Sequence, residues 1–280
     1  MQELSFDLGH IKLAGLGLGD PGKPMILATH GWLDNAASFI PLSAYLDDYY
    51  IVAIDFAGHG KSQQRSKGAQ YHILENIYDL HVLIEQQNWP PFIMLGHSMG
   101  GILGMVYASS FPEKVSKLIM LDAFAPLIKK AELAPQQLRD AVFHRLEHQT
   151  KPVKHPESIK IAVNSRLSVT KMAAQNAELL MRRNIKSVAS GYEWTTDPRL
   201  KTLSLMRMTE EQADSFFSEV KCPVMCLLGD EGYPEIRQYL LEKHHLVQNF
   251  QWHDIPGFHH FHMDNPIPAA GKIKDFLTTV

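Results

Sequence analysis

The 280-residue sequence predicts an α/β fold in which helices cover both faces of a mostly parallel, eight-stranded sheet. Two observations favour this class. Short apolar runs bounded by turn residues recur along the chain, and helix-compatible segments separate most of them. Hydrophobic residues make up 45% of the sequence, which is typical of a chain that buries a sizeable core. We therefore expect a globular protein built on one extended sheet.

Eight apolar runs are predicted to be strands. They are residues 4–8, 11–15, 25–29, 51–55, 92–95, 117–121, 224–228 and 250–255. Only Gly9 and His10 separate the first two runs, and a two-residue connection can join antiparallel strands but not parallel ones. The sheet should therefore begin with an antiparallel pair.

Helices are predicted between most of these strands. They are residues 38–46, 72–87, 99–110, 235–244 and 267–278. The interval 122–223 contains no convincing strand. Helices should begin there near Pro135, Ser158 and Ala173, and at the capping box formed by Thr209 and Gln212.

This interval divides the chain. We expect an inserted α-helical cap over residues 126–218, with the core formed by residues 1–125 and 219–280. A helical insertion beside the carboxyl edge of the sheet would cover a pocket there.

Charge and terminal sequence exclude several classes of partner. The net charge is −3 and the basic residues are scattered, which argues against nucleic acid. The N-terminus lacks a signal-peptide pattern, and no apolar run approaches the ~20 residues that span a bilayer. We expect a soluble cytoplasmic protein whose partner is a small molecule; the sequence indicates no oligomeric state.

The two cysteines, Cys222 and Cys226, lie four residues apart at a predicted strand. That spacing places them on one face of the strand, too far apart for a disulfide. We expect buried thiols.

Gly96-His97-Ser98-Met99-Gly100 is the most informative motif, because a predicted strand precedes it and a predicted helix follows. A G-x-S-x-G sequence in that setting forms a tight elbow that presents the serine as a nucleophile. The alternative is a glycine-rich turn whose serine merely caps the helix. The flanking elements favour the nucleophile, Ser98.

A serine nucleophile needs a general base, an acid that orients the base, and donors for the oxyanion. His259, His260 and His262 follow the last predicted strand, at the carboxyl end of the sheet. The alternative is packing at a loop surface, which we expect of His262. A metal site built from the three histidines lacks an accompanying carboxylate or cysteine pattern.

Several segments together resemble the α/β-hydrolase superfamily, and more narrowly its serine hydrolase-like, esterase branch. The matching segments are 29–35, 54–62, 96–100, 111–115 and 255–266. The resemblance implies the α/β-hydrolase fold and a serine hydrolase that cleaves carboxylic esters through an acyl-enzyme and needs no cofactor.

The resemblance also nominates the base. In the superfamily the catalytic histidine commonly stands seven positions before a proline, as His259 stands before Pro266. A one-residue shift of the loop would nominate His260 instead.

The sequence leaves open which carboxylate orients the histidine. Most relatives place it three residues after the glycine that ends the seventh strand, where this chain has Gly232. The alternative superfamily position, after the sixth strand, is Asp122, which we favour over Asp230 and Glu231. Asp122 could instead cap the start of the insertion.

Two backbone amides are expected to form the oxyanion hole. That of Met99 lies at a helix N-terminus, where the helix dipole favours negative charge. The resemblance places the second at Trp32, whose side chain could belong to the core, and gives His30 a role in supporting this loop. His97 would either line the pocket or pack beneath it.

Other chemistries fit less well. Residues 58–62 lack phosphate-loop spacing, and no dinucleotide fingerprint is present. A carbon-carbon bond hydrolase with the same triad and a ligand-sensing protein with a slow triad are the alternatives. Phe124, Trp194 and Phe258 are candidates for the pocket wall, although each is more typical of ordinary packing.

Overall fold

The computed structural model describes residues 1–124, 128–189 and 191–278. Ten strands are present in these residues. They are β1 (Gln2–Asp7), β2 (Lys12–Leu18), β3 (Met25–Thr29), β4 (Tyr50–Ile54), β5 (Phe92–His97), β6 (Val115–Leu121), β7 (Ile185–Val188), β8 (Gly191–Trp194), β9 (Val224–Gly229) and β10 (Phe250–Ile255).

Eight of these strands form one sheet in the order β1-β2-β4-β3-β5-β6-β9-β10. Strand β2 is antiparallel to β1 and to β4, and all other neighbours are parallel. The predicted α/β class and the predicted antiparallel start of the sheet are confirmed. The carboxyl ends of β3, β5, β6, β9 and β10 consequently meet at one edge.

The helices lie on both faces of the sheet. They are α1 (Ile40–Ser43), α2 (Glu75–Gln87), α3 (Met99–Ser110), α4 (Ala134–Thr150), α5 (Ile159–Leu167), α6 (Ala174–Asn184), α7 (Glu210–Ser218), α8 (Pro234–Lys243), α9 (Phe261–Asp264) and α10 (Pro266–Thr278). One core cluster packs α2, α3, α7 and α8 against the sheet, and a second packs α1 and α10 against the opposite face. None of the described helices is long and apolar enough to cross a membrane.

Strand β2 runs three residues further than predicted, to Leu18. Gly15 and Gly17 weaken the strand pattern in the sequence. In the structure a Cβ at residue 15 would lie 2.6 Å from the Ala53 carbonyl oxygen. Glycine is needed there because β4 passes so close.

The predicted helix at 38–46 is shorter than expected. A 3₁₀ turn over Ala36–Phe39 leads into α1, which ends at Ser43. Asn35 caps the turn by accepting from the Ala37 amide, so the chain enters the turn directly from the loop after β3.

The interval predicted to lack strands contains a β-hairpin, so the expectation of an all-helical insertion is wrong there. Helix α6 ends at Asn184, and β7 pairs antiparallel with β8 from Ile185 opposite Trp194. β-Branched and aromatic residues follow the helix, and they favour a strand over continued helix. Gly191 supplies a backbone conformation with φ of 127° that other residues rarely adopt.

The predicted boundary between core and cap at residues 125 and 126 lies outside the described residues. At the other end, α7 packs against α3 and buries Ala213 and Phe217 in the core cluster beside Phe124. The division into core and cap therefore stays a prediction. We refer to residues 128–218 as the insertion.

Buried polar contacts hold the insertion against the sheet. Asn35 Nδ2 donates to the Leu180 carbonyl oxygen at 2.8 Å and to Asn184 Oδ1 at 2.9 Å. The Arg183 guanidinium lies 2.9 Å from Asp55, which is fully buried. A second arginine of the insertion, Arg166, makes a similar contact within the candidate site.

Both cysteines are buried and unpaired, as predicted. Burial raises the pKa of the Cys222 thiol to about 11 and also raises that of Cys226. Neither thiol is poised to react at neutral pH.

Candidate active site

Ser98 occupies the predicted strand-turn-helix elbow. It lies between the end of β5 and the start of α3, with φ of 49° and ψ of −119°. A Cβ at Gly96 would lie 2.4 Å from the Gly100 carbonyl oxygen, and one at Gly100 would lie 2.0 Å from that of Thr29. Only glycine fits these positions. The strained serine is partly accessible, which is the arrangement of a nucleophile elbow.

His259 follows β10 and contacts Asp122, which follows β6. His259 Nδ1 lies 2.5 Å from Asp122 Oδ2. The Asp122 side chain is 2% exposed, and its other oxygen accepts from the Gly229 amide at 2.9 Å. A carboxylate at Nδ1 holds the neutral ring in the Nδ1–H tautomer, which leaves the Nε2 lone pair able to take a proton.

Gly232 leaves room for the Asp122 carboxylate after β6. A Cβ at residue 232 would lie 2.7 Å from Asp122 Oδ1, so the Asp122 carboxylate fills the space that a side chain at residue 232 would need. The other two carboxylates that the sequence offered, Asp230 and Glu231, have no contact with His259 among the described hydrogen bonds and ion pairs. Asp230 accepts from the Gly257 amide at 2.8 Å, and Glu231 is solvent-exposed. Asp122 is the candidate that the structure brings to the histidine.

His260 has a different aspartate. Its Nε2 lies 3.0 Å from Asp34 Oδ2, and the ring is almost completely buried, whereas the His259 side chain is 13% exposed. The buried position of His260 makes it a poor candidate for a base that must reach a substrate.

Asp34 and Arg166 were missed by sequence analysis. Arg166 Nη2 from α5 lies 2.5 Å from Asp34 Oδ1 and 3.2 Å from His260 Nε2. Burial alone would raise the pKa of Asp34, but the Arg166 guanidinium and the nearby imidazoles hold it well below its ordinary value. Asp34 is therefore an ionised, fully buried carboxylate. No motif marks a pairing between residues 132 positions apart.

His97 packs beneath the site, which decides between its two predicted roles. Its ring is fully buried, and Nε2 donates to the His259 carbonyl oxygen at 3.0 Å. Burial lowers the pKa of His97 to about 3 despite the neighbouring carboxylate, so the ring is neutral. Nδ1 lies 3.4 Å from Asp34 Oδ2.

Asp34, His97 and His260 have ligand atoms close enough together to hold a metal ion. The Arg166 guanidinium already neutralises the carboxylate of this set, at hydrogen-bond distance. The cation beside Asp34, His97 and His260 is therefore the Arg166 guanidinium of the chain itself.

His262 differs from the prediction. We expected it at a loop surface, but its ring is fully buried and Nε2 lies 2.8 Å from Ser38 Oγ. Helix α9 turns this residue inward beneath the loop. The Ser38 hydroxyl group thus helps to hold the segment that carries His259, His260 and His262.

The loop after β3 lies against the elbow. His30 Nδ1 donates to the Gly31 carbonyl oxygen at 2.7 Å, and Nε2 accepts from the Phe56 amide at 3.0 Å. Burial lowers the pKa of His30 to about 4, consistent with this neutral tautomer. His30 thus supports the loop, as expected. A Cβ at Gly31 would lie 2.9 Å from His97 Nδ1, which brings the start of the loop beside the elbow.

Both predicted amide donors follow residues at the elbow: Met99 follows Ser98, and Trp32 follows Gly31, which packs against His97. Met99 is the first residue of α3, and the first amides of a helix have no partner within it. The side chain of Trp32 is 52% exposed and donates from Nε1 to the Leu200 carbonyl oxygen. The Trp32 side chain is therefore not part of the core.

The three candidate wall residues have separate environments. Phe124 is buried and stacks on Phe217 in the core. Trp194 donates to the Lys154 carbonyl oxygen within the insertion, and Phe258 is half-buried beneath the Lys171 ammonium group. Tyr233, which the sequence did not suggest, lies with its ring centroid 4.6 Å from that of His259 and is half exposed. It is the better candidate for the wall.

A serine elbow at the carboxyl end of a central strand, in a sheet of this order, defines the α/β hydrolases. The profile of the α/β hydrolase fold family matches residues 24–266, and the chain belongs to this family. Within it the chain belongs to the serine hydrolase-like proteins. It is 32% identical to human serine hydrolase-like protein 2, over 98% of this chain and 93% of the relative.

Solved structures agree with this placement. A hypothetical protein from Pseudomonas aeruginosa PAO1 is 35% identical and superposes with a TM-score of 0.92, with all of both chains covered. The thioesterase domain from the curacin biosynthetic pathway superposes with a TM-score of 0.81 at 22% identity, over 98% of this chain and 99% of that domain. The second likeness concerns the fold alone.

Proposed function

We propose that this hydrolase cleaves carboxylic esters through an acyl-enzyme on Ser98, with His259 as general base and Asp122 as the orienting acid. The observation that carries the proposal is the contact of 2.5 Å between His259 Nδ1 and the buried Asp122 carboxylate. The His259 carbonyl oxygen accepts from His97, the residue before Ser98 in the strained elbow. The contact with Asp122 supplies the base and its orientation, the two elements that a serine hydroxyl needs to become nucleophilic.

In the first half-reaction Ser98 Oγ attacks the acyl carbon while His259 Nε2 takes the hydroxyl proton. The negative charge that develops on the former carbonyl oxygen is accepted by the backbone amides of Trp32 and Met99. The imidazolium formed is stabilised by Asp122, and it returns its proton to the leaving alcohol as the carbon-oxygen bond breaks.

In the second half-reaction His259 removes a proton from water, which attacks the acyl-enzyme carbonyl. The tetrahedral intermediate collapses, the carboxylic acid leaves, and Ser98 regains its proton from the imidazolium. Serine fits acyl transfer at this position, whereas haloalkane dehalogenases and epoxide hydrolases of the superfamily use aspartate there.

We further propose that the insertion acts as a cap over this site. Its seating is supported by the buried Arg166–Asp34 and Arg183–Asp55 contacts. The exposed rings of Trp32 and Tyr233 would then line the entrance between cap and core, and they favour a substrate with an apolar acyl or alcohol group.

The test compares Ser98→Ala with Ser110→Ala, a control at the exposed end of the same helix. The readouts are turnover of short-chain p-nitrophenyl esters and covalent labelling by a fluorophosphonate. Ser98→Ala should abolish both, and Ser110→Ala should retain both. Undiminished hydrolysis by Ser98→Ala would contradict the mechanism.

The same assay separates the alternatives. Labelling of the unaltered protein without ester turnover would favour a sensor with a slow triad. Labelling combined with turnover of a dienol ring-cleavage product, but not of esters, would favour a carbon-carbon bond hydrolase.

A further inference from the structure

The nucleophile and the base are each next to a buried histidine in the chain, and both of these histidines face one carboxylate. His97 precedes Ser98, and its Nδ1 lies 3.4 Å from Asp34 Oδ2. His260 follows His259, and its Nε2 lies 3.0 Å from the same oxygen. Asp34 thus contacts both segments that carry the reacting groups.

A hydrogen bond links these two segments directly. The His259 carbonyl oxygen can only accept, so the proton of this bond belongs to His97 Nε2, at 3.0 Å. The neutral His97 ring then turns its Nδ1 lone pair towards the Asp34 side. The backbone of the base is therefore tied to the residue beside the nucleophile. Nδ1 of this neutral ring carries no proton, so His97 forms no hydrogen bond to Asp34, and Asp34 reaches the base through His260 instead.

Arg166 completes this cluster from the insertion. Its guanidinium contacts both Asp34 and His260, and its side chain is 10% exposed, whereas that of Asp34 is 1% exposed. A buried carboxylate without a cation beside it is strongly disfavoured. Asp34 can stay ionised in this position because the insertion supplies Arg166.

We propose that Asp34 is a positioning residue for His259, acting through His260, and that Arg166 of the insertion keeps the Asp34 carboxylate in place. The inference rests on the proposed function, because it concerns the geometry of that triad. Neither residue touches the reacting atoms; each acts through His260.

The chain contains a matched control. Arg183 is a second buried arginine of the insertion, and it lies 2.9 Å from Asp55, a fully buried carboxylate of the core. The Asp55 carboxylate accepts from the Ala36 and Lys61 amides rather than facing the site histidines. Arg166→Gln and Arg183→Gln therefore remove the same kind of contact between insertion and core, and only the first reaches the triad.

Each variant is measured for its thermal midpoint, for kcat and KM with p-nitrophenyl acetate, and for the rate of labelling by a small fluorophosphonate. A misplaced catalytic group costs up to about 100-fold in rate, so Arg166→Gln should lower kcat and the labelling rate by about 10- to 100-fold with little change in KM. Arg183→Gln should lower the thermal midpoint yet keep both rates.

A second variant guards against misfolding. Asp34→Asn with Arg166→Gln removes both charges together and leaves no unpaired buried charge. The double variant should have a higher thermal midpoint than the Asp34→Asn single variant, and its loss of kcat should equal that of Arg166→Gln.

Two results would overturn the inference: folded Arg166→Gln with unaltered kcat and labelling, or equal losses in Arg166→Gln and Arg183→Gln. If the unaltered protein is not labelled at all, the proposed function fails and the positioning role fails with it. Labelling at the same rate in the unaltered protein and in Arg166→Gln contradicts the positioning role alone.

Discussion

Asp122 and Gly232 have complementary positions behind His259. The carboxylate occupies the space next to residue 232, with Oδ1 only 2.7 Å from the point where a Cβ on that residue would lie. Asp122 also has φ of 45°, a left-handed conformation that aspartate tolerates better than most residues. Two strand ends thus converge on one carboxylate site, and a carboxylate on either residue could occupy it.

A variant with the carboxylate on residue 232 instead of residue 122 tests whether the two positions are equivalent. Gly232→Asp combined with Asp122→Ala should recover part of the activity that Asp122→Ala alone loses, because the new carboxylate enters the vacated space. The measurement is kcat for a p-nitrophenyl ester. Gly232→Asp alone is the control and should be impaired, since its side chain would meet Asp122. Identical activity of Asp122→Ala with and without Gly232→Asp would contradict the prediction.

Sequence reasoning at this scale reached some residues and missed others for a physical reason. The elbow around Ser98 is marked by local glycine requirements, which a short motif records. The choice between Asp122 and Asp230 depends on which strand end faces the imidazole, and no local pattern encodes that. Asp34 and Arg166 meet only after the insertion folds back onto the loop after β3.

The elbow joins the sheet through a close approach of backbone segments. Strand β5 and helix α3 contact the end of β3 so tightly that residue 100 has no room for a methyl group. Ser98 is therefore positioned by packing between three elements rather than by its own side-chain contacts.

Gly100→Ala should destabilise the protein by about 3 kcal/mol or more, because its Cβ would lie 2.0 Å from the Thr29 carbonyl oxygen, and overpacking of a core typically costs about 1–3 kcal/mol. The matched control is Gly271→Ala in α10, where no atom lies within 4 Å of the new Cβ. It should stabilise the protein by up to about 1 kcal/mol, since alanine favours helix. Urea unfolding measures both; equal effects of the two substitutions would contradict this account.

The elements themselves were largely predictable, because continuous apolar runs mark strands covered on both faces. The errors came where tertiary contacts overrode local signals. Glycines concealed the second half of β2, which needs them to approach β4. The hairpin of β7 and β8 follows α6 without a loop, and its short strands lie in the interval that was predicted to be all helical.

At the scale of the whole molecule, the fold buries neutral histidines. Burial lowers the pKa of His30 to about 4 and those of His59 and His97 to about 3, and it lowers that of His262 as well. In the unfolded chain each would titrate near its ordinary pKa of about 6.5. At a pH between the folded-state and the unfolded-state pKa values, the unfolded chain binds more protons than the folded protein.

The free energy of unfolding should therefore fall as the pH is lowered from about 6.5 towards 4, with each such histidine contributing up to about 1.4 kcal/mol per pH unit. The depressed pKa of Asp34 acts only at lower pH, near and below the ordinary aspartate pKa of about 3.9, so it does not offset this loss. Urea unfolding at pH 8, 6 and 5 measures the effect.

His59→Gln provides the control for this titration. It removes one buried imidazole that lies outside the proposed catalytic groups, so the pH dependence should become shallower by one proton per molecule. Constant stability of the unaltered protein between pH 7 and 5 would contradict the assignment of neutral buried histidines.

Whether Asp122 orients the imidazole of His259 is measured by kcat for a p-nitrophenyl ester in Asp122→Asn and Asp230→Asn. Replacing the aspartate of a serine triad by asparagine costs about 10⁴-fold in kcat, because the imidazole loses its productive tautomer. Asp122→Asn should show a loss of that order with Ser98 still present, and Asp230→Asn should retain kcat. The reverse pattern, or full activity in Asp122→Asn, would contradict the account.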